Sequence, residues 1–143
     1  MANLEEAIGI AAQAHRGQRD RAGAPYILHP LRIMFAMQTD AERMAAVLHD
    51  VVEDTSWTLD ALRERGFPEP VVTAVDHLTR REGESYEAFV LRAAADPVAR
   101  RVKVADLEDN LDVRRLGTVS ADDVERLTKY HRAWRLLTGD LPA

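Results

Sequence analysis

The stretch MAAVLHDVVEDT, residues 44–55, sets an apolar run directly against four ionisable side chains, His49, Asp50, Glu53 and Asp54. Met44, Ala45, Val47, Leu48, Val51 and Val52 cover more than one face at helical spacing, which predicts a central helix, with Asp40 as its cap. Ionisable groups at the end of such a helix are expensive to bury without a purpose. His49 and Glu53 stand four apart, as do Asp50 and Asp54, so a helix continuing that far would project both pairs on neighbouring faces.

Helical signals extend in both directions. Upstream, Leu4, Ala7, Ile8, Ala11, Ala12 and Ala14 predict a helix over about 3–15 that ends near Gly17. The segment from Arg16 to Tyr26 carries Arg16, Arg19 and Arg21 among Gly17, Gly23 and Pro25, an irregular basic loop suited to an anion. His29 precedes Pro30 and belongs at the entrance of a helix over roughly 30–38. Downstream, short helices are expected over 58–65, closed by Gly66, over 70–78, and from Ser85 to Ala95. Asp96-Pro97 opens VARRVKVADLEDNLDVRRL, and Ser120 with Asp123 forms a capping box for a last helix that runs to Gly139. No segment alternates with a period of two, so the expected fold is all-α, a single domain over 1–143 with its helices around one core.

A chain of 143 residues with 46% hydrophobic composition suits that one core. Nineteen Lys+Arg against 24 Asp+Glu give a net charge of −5, which disfavours a nucleic-acid coat and requires any anionic ligand to be held locally. With no cysteine, disulfides, Cys-ligated zinc and a thiol nucleophile are excluded, and any metal must be held by His, Asp or Glu. The acidic start with Glu5 and Glu6 is unlike a secretory signal, and no apolar run reaches the roughly 18 residues of a membrane span. A soluble cytoplasmic protein with no membrane partner is expected.

Three separated elements supply metal-ligand types: His29, the His49-Asp50 pair, and Asp106, which lies four residues before Asn110 in otherwise apolar sequence. Two imidazoles and two carboxylates suit a divalent cation, and their chemistry alone leaves Zn, Fe, Ni, Mn and Mg open. Blander readings are a solvated helix end for residues 49–54 and an ion pair with Lys103 for Asp106. His15 reads as a helix-terminal or core histidine, His77 and His131 as surface residues, and Trp57, Phe89 and Trp134 as core or interface aromatics. Arg80, Arg81, Arg114 and Arg115 read as solvated, although Arg114 is close enough to Asn110 to reach a phosphate.

Taken together, AHRGQRDRAGAPYILHP (14–30), LHDVVEDT (48–55) and VKVADLEDNL (102–111) resemble, in order and separation, the hydrolase domain of the RelA/SpoT-type alarmone enzymes of the HD superfamily. Without synthetase or regulatory segments, the chain is similar to the stand-alone small alarmone hydrolases. The resemblance implies an HD-domain helical bundle around a metal site, with His29, His49, Asp50 and Asp106 as ligands of one divalent ion, Mn²⁺ by family habit. It implies Glu53 and Asp54 as the catalytic acidic pair, Asn110 beside the nucleotide, and Arg126 with Tyr130 facing the substrate. The implied reaction hydrolyses guanosine 3′,5′-bis(diphosphate) or its 5′-triphosphate form, ppGpp and pppGpp, to pyrophosphate and GDP or GTP, with Arg19, Arg21 and Lys103 holding the polyphosphate and a monomer or homodimer as the working unit.

Two departures stand out. Asp20-Arg21 occupies the place of an Arg-Lys pair, and Asp112-Val113 replaces a basic and a hydroxyl residue. A carboxylate near a pyrophosphate repels it unless it points away. Two rival functions follow: the same chemistry on another nucleotide or phosphoester, and a nucleotide sensor that binds without cleaving. A third reading makes the acidic cluster a mere surface of a helical scaffold.

Overall fold

A computed structural model describes residues 2–139, so the domain bounds of 1–143 read from sequence reach past the described residues at both ends. Nine α-helices and one 3₁₀ turn account for its regular structure among these residues. They are α1 (Leu4–Ala14), α2 (Leu28–Phe35), α3 (Asp40–Leu48), α4 (Val51–Asp54) and α5 (Leu59–Glu64), followed by α6 (Glu69–His77), α7 (Tyr86–Ala94), α8 (Pro97–Asn110), the 3₁₀ turn (Val113–Arg115) and α9 (Ala121–Leu137). No strand occurs among the described residues, and a single bridge between Arg19 and Pro25 pins the basic loop. All-α is thus the observed class.

Several helix ends follow the expected chemistry. Asp96 accepts from the Ala99 amide with Pro97 in the first turn, Ser85 accepts from Ala88, and Ser120 with Asp123 forms a reciprocal capping box. Gly66, at φ 92°, provides the left-handed turn that stops α5 and sends the chain back. Other ends differ. Thr39, not Asp40, caps α3, because its hydroxyl accepts from the Glu42 amide while Glu42 reaches back to the cap; Asp40 is the first helical residue. The second helix covers 28–35 rather than 30–38, so His29 lies inside its first turn. The helix expected through residue 54 breaks after Leu48, and α4 restarts at Val51.

Helix α3 is the centre of the packing through its apolar second half from Met44 to Leu48, and it touches α1, α2, α6 and α8. Ala45, Ala46, Val47 and Leu48 on α3, and Val51 just beyond it, are fully buried. Val90, Leu107, Ala133 and Leu137 form a second, smaller cluster where α7, α8 and α9 meet, so the apolar interior has two parts rather than one. The consequence is that the α2, α3 and α8 side chains facing one another at the edge of this interior are fixed by close packing on their other sides.

Candidate metal centre and phosphate cavity

His49 and Asp50 are adjacent, and on a regular helix their side chains would diverge by about 100°. The break between α3 and α4 brings them together: Asp50 sits at φ −104°, ψ 0°, as the cap of α4, and its Oδ2 lies 3.0 Å from His49 Nε2. His29 reaches in from α2 and Asp106 from α8. Asp106 Oδ1 is 2.9 Å from His29 Nε2 and 3.7 Å from His49 Nε2. One ligand atom each from His29, His49 and Asp50 falls within 4.8 Å of the others.

The hydrogen bonds determine which imidazole nitrogen faces this centre. His29 Nδ1 lies 2.6 Å from Asp109 Oδ2, and His49 Nδ1 lies 2.7 Å from the Ala46 carbonyl. Both oxygens are acceptors, so both Nδ1 atoms donate and each ring turns Nε2 inward, where a proton or a metal ion can sit between it and the carboxylates. Both Nε2 atoms then meet carboxylate oxygens. His49 Nε2 is buried and has no aligned hydrogen-bond partner despite its short approach to Asp50. Two carboxylates converging on two imidazoles in a dry centre demand a positive charge there, as protons on Nε2 or as a bound cation. Two imidazoles and two carboxylates around that point, each imidazole oriented from behind, fit a divalent cation.

The proton affinities express the same demand. Burial pushes the His49 imidazole down, yet the Asp50 and Asp106 charges hold it well above the usual histidine range. Burial opposes ionisation of Asp106, but Lys103 and the two imidazoles keep its carboxyl well below the usual carboxylate range. Lys103 Nζ donates to Asp106 Oδ2 at 3.1 Å, and Asn110 Nδ2 to Asp106 Oδ1 at 3.0 Å. The ion pair expected for Lys103 therefore exists, alongside the convergence on the imidazoles rather than instead of it. Tyr26 donates its hydroxyl to Asp50 Oδ2, and burial followed by the Asp50 charge pushes the phenol's pKa up, keeping it un-ionised.

A cavity of about 670 Å³ opens beside this centre. Its wall contains His29, Asp50 and Asp106 from the centre, with Glu53 and Asp54. It also contains Arg19, Arg21, Asn110, Arg126 and Tyr130, so every site residue inferred from the sequence lines this one space except His49, which is enclosed behind it. Glu53 Oε1 accepts from the Arg80 amide at 2.8 Å, which fixes one carboxylate of the acidic pair. Asp54 is raised from its ordinary value, first by burial and then by the neighbouring Asp50 and Glu53 charges. The space therefore offers anion-binding cations and two carboxylates, one of them with a raised pKa, next to a cation-demanding centre.

Both departures from the family pattern have local partners. Asp20 Oδ1 accepts from the Ala22 and Ala24 amides at 2.9 Å each, so this carboxylate organises its own loop. Asp112 accepts from Arg114 Nε at 2.8 Å and lies 3.4 Å from Arg115 NH1. Arg114 is consequently held outside, highly exposed on Asp112, and Arg115 lines the cavity in its place. Arg114 is thus solvated as expected, and Arg115 departs from the expectation, because the 3₁₀ turn rather than a continued helix sets their directions. Arg80 also lines the cavity instead of being merely solvated.

Other histidines and aromatics follow simpler rules. His15 is buried against the Tyr26 ring at 4.9 Å, and its Nδ1 lies 2.9 Å from Gln18 Oε1. His77 is half-buried with Nδ1 on the Thr73 carbonyl, and His131 is exposed. Phe89 is core and Trp57 packs against the main cluster, whereas Trp134 belongs to the smaller one. Sequence reasoning missed Tyr26, Arg32 and Asp109 as site residues. A usable signal existed for two of them: Tyr26 precedes His29 by three residues, and Asp109 follows Asp106 by three on one helix.

A family model described as an HD domain matches residues 7–130. The chain is 36% identical over 125 residues to a GTP pyrophosphokinase of Streptomyces coelicolor, an alignment covering 78% of this chain and 15% of that protein. It is 32% identical over 120 residues to the guanosine-3′,5′-bis(diphosphate) 3′-pyrophosphohydrolase of Aquifex aeolicus, covering 76% and 17%. The corresponding protein of Haemophilus influenzae is 36% identical over 135 residues, covering 84% and 20%. The chain thus spans a fifth or less of the length of these curated relatives. Among solved structures, a metazoan ortholog of SpoT that hydrolyzes ppGpp and plays a role in starvation responses superposes with a TM-score of 0.75 at 25% identity, over 94% of this chain and 84% of that one.

Proposed function

The chain belongs to the HD-domain family, and from that premise we propose that it is a metal-dependent 3′-pyrophosphohydrolase acting on ppGpp and pppGpp. The observation that carries the proposal is the shared cavity: a cation-demanding centre, an acidic pair and cations from two separate segments open onto one space. His29, His49, Asp50 and Asp106 would hold the ion, with Mn²⁺ favoured and other divalent metals usable. When bound, a divalent ion lowers the pKa of a water and neutralises phosphoryl charge.

The chain's own groups do the rest. Arg19 and Arg21 on the loop, with Arg126 on α9, bind the substrate's phosphate oxygens, and Asn110 and Tyr130 orient the nucleotide. Glu53, fixed by the Arg80 amide, aligns the attacking water and takes its proton. Asp54, with its raised proton affinity, returns a proton to the departing ribose 3′ oxygen. Water oxygen bonds to the phosphorus, the bond from phosphorus to the 3′ oxygen breaks, and pyrophosphate leaves with GDP or GTP remaining.

Relatives of this chain bear names for both ppGpp hydrolysis and GTP pyrophosphorylation, and the residues assembled here support the hydrolytic half. The reading includes a single functional domain over 1–143, a cytoplasmic setting and a monomeric or homodimeric unit. No helix among the described residues is long and apolar enough to cross a membrane. The test is pyrophosphate release from ppGpp with Mn²⁺, run beside the adenine 3′-pyrophosphate analogue. Guanine-dependent release lost on chelation is expected. Turnover confined to another phosphoester, or tight binding with no release, would overturn the assignment.

A further inference from the structure

His29 lies between two carboxylates, with Asp106 on Nε2 and Asp109 on Nδ1, and the two sides differ in what surrounds them. On the Asp109 side, Arg32 closes the space with Nε 2.8 Å from Oδ1 and NH2 3.0 Å from Oδ2. Arg115 adds NH2 at 3.4 Å from Oδ2 and donates to the Asp109 carbonyl at 2.8 Å. That side already has its positive charge. On the Asp106 side, Asp50 supplies a further carboxylate beside His49 Nε2, and Lys103 binds Asp106 through the other oxygen, Oδ2. A cation therefore belongs on the Nε2 side and has no place on the Nδ1 side.

We infer that Asp109 is a positioning residue for the metal centre, holding His29 as the Nδ1–H tautomer and aiming the Nε2 lone pair at the ion, with Arg32 and Arg115 fixing the carboxylate that does so. The inference rests on the metal-centre reading above and adds a residue to it. His49 gives the internal contrast, since its Nδ1–H meets the neutral Ala46 carbonyl rather than a carboxylate. A carboxylate behind an imidazole raises its basicity as a ligand as well as fixing its ring, and loss of such a partner costs roughly 10–100-fold in metal affinity. The two imidazoles are thus unequal ligands. His29 is the one whose strength depends on a residue outside the inner set.

The experiment measures Mn²⁺ affinity by the paramagnetic resonance of free Mn²⁺, beside the melting temperature of metal-free protein, for the parent, Asp109→Ala, Asp109→Asn and Arg32→Ala. Asp109→Ala should bind Mn²⁺ roughly 10–100-fold more weakly. Asp109→Asn, whose carbonyl can still accept from Nδ1, should recover most of that loss, and Arg32→Ala should lose less than Asp109→Ala. If Asp109→Ala fails to fold, Asp109→Ser, with a hydroxyl too short to reach, takes its place. Asp109→Ala within twofold of the parent, no rescue by Asn, or an equal loss in Arg32→Ala would overturn the inference, because a structural ion pair would shift melting alone. A parent that binds no Mn²⁺ would bring down the metal reading itself, an outcome distinct from equal binding by all variants.

Discussion

The centre where His29, His49, Asp50 and Asp106 meet and the loop over residues 16–25 that carries Arg19 and Arg21 border the same cavity but are held by opposite means. The centre draws on α2, α3 and α8, which pack side by side, so side chains far apart in sequence are brought together by the core. The loop is fixed by itself: Asp20 ties the Ala22 and Ala24 amides, Arg19 NH1 donates to the Gly23 carbonyl at 3.3 Å, and the Arg19–Pro25 bridge closes its ends. The lesson is a division of labour. Metal chemistry needs donors held to a fraction of an ångström, which only core packing supplies, whereas polyphosphate recognition tolerates exposed, adjustable cations.

That contrast can be broken most sharply at the centre. His49→Ala should abolish Mn²⁺ uptake and reduce pyrophosphate release by more than about 100-fold, beyond the cost of losing an outer-shell partner. Retained metal with retained turnover would make the centre part of a passive scaffold. Glu53→Gln and Asp54→Asn should each lower kcat by roughly 10²–10⁴-fold while Mn²⁺ still binds, since each removes proton handling but no ligand. Metal loss in either variant would erase the boundary between ligands and acid pair.

At the loop the expected effects are smaller and fall on binding. Arg21→Ala should raise KM for ppGpp about tenfold, equivalent to about 1.4 kcal/mol, with kcat little changed. A kcat loss without a KM change would place Arg21 with the reacting atoms instead. The smallest effect concerns the link between the two regions. Asp109, with its carboxyl lowered to about 2 against burial by His29 and Arg32, should stabilise metal-free protein above the ordinary Asp value of 3.8. That contribution is lost as pH falls from 3.8 toward about 2. Melting curves over this range should therefore be flatter for Asp109→Asn than for the parent, and identical slopes would mean the carboxylate gains nothing from its partners.

The same division governs what the sequence could reveal. Helix starts at Ser85, Asp96 and Ser120 were legible because capping chemistry is local. Asp106 and Asn110 were legible as one face because four residues make one helical turn, and their side chains do meet. The break at His49-Asp50 was not legible, since Val51 and Val52 keep the apolar pattern going while tertiary packing interrupts the helix. Asp109 on His29 was hidden by a sequence separation of 80, and Arg115 in place of Arg114 by a 3₁₀ turn whose direction spacing does not fix. Asp20 lines the cavity and is also a turn residue, a role visible only when its amide partners are located.

Anomalous diffraction at the manganese absorption edge, from crystals grown with Mn²⁺, reaches the central point with the fewest intermediate assumptions. The account predicts one peak in bonding range, about 2–2.5 Å, of His29 Nε2, His49 Nε2, and a carboxylate oxygen from each of Asp50 and Asp106. A peak bonded elsewhere, or one that leaves His29 or Asp106 outside that range, would contradict it.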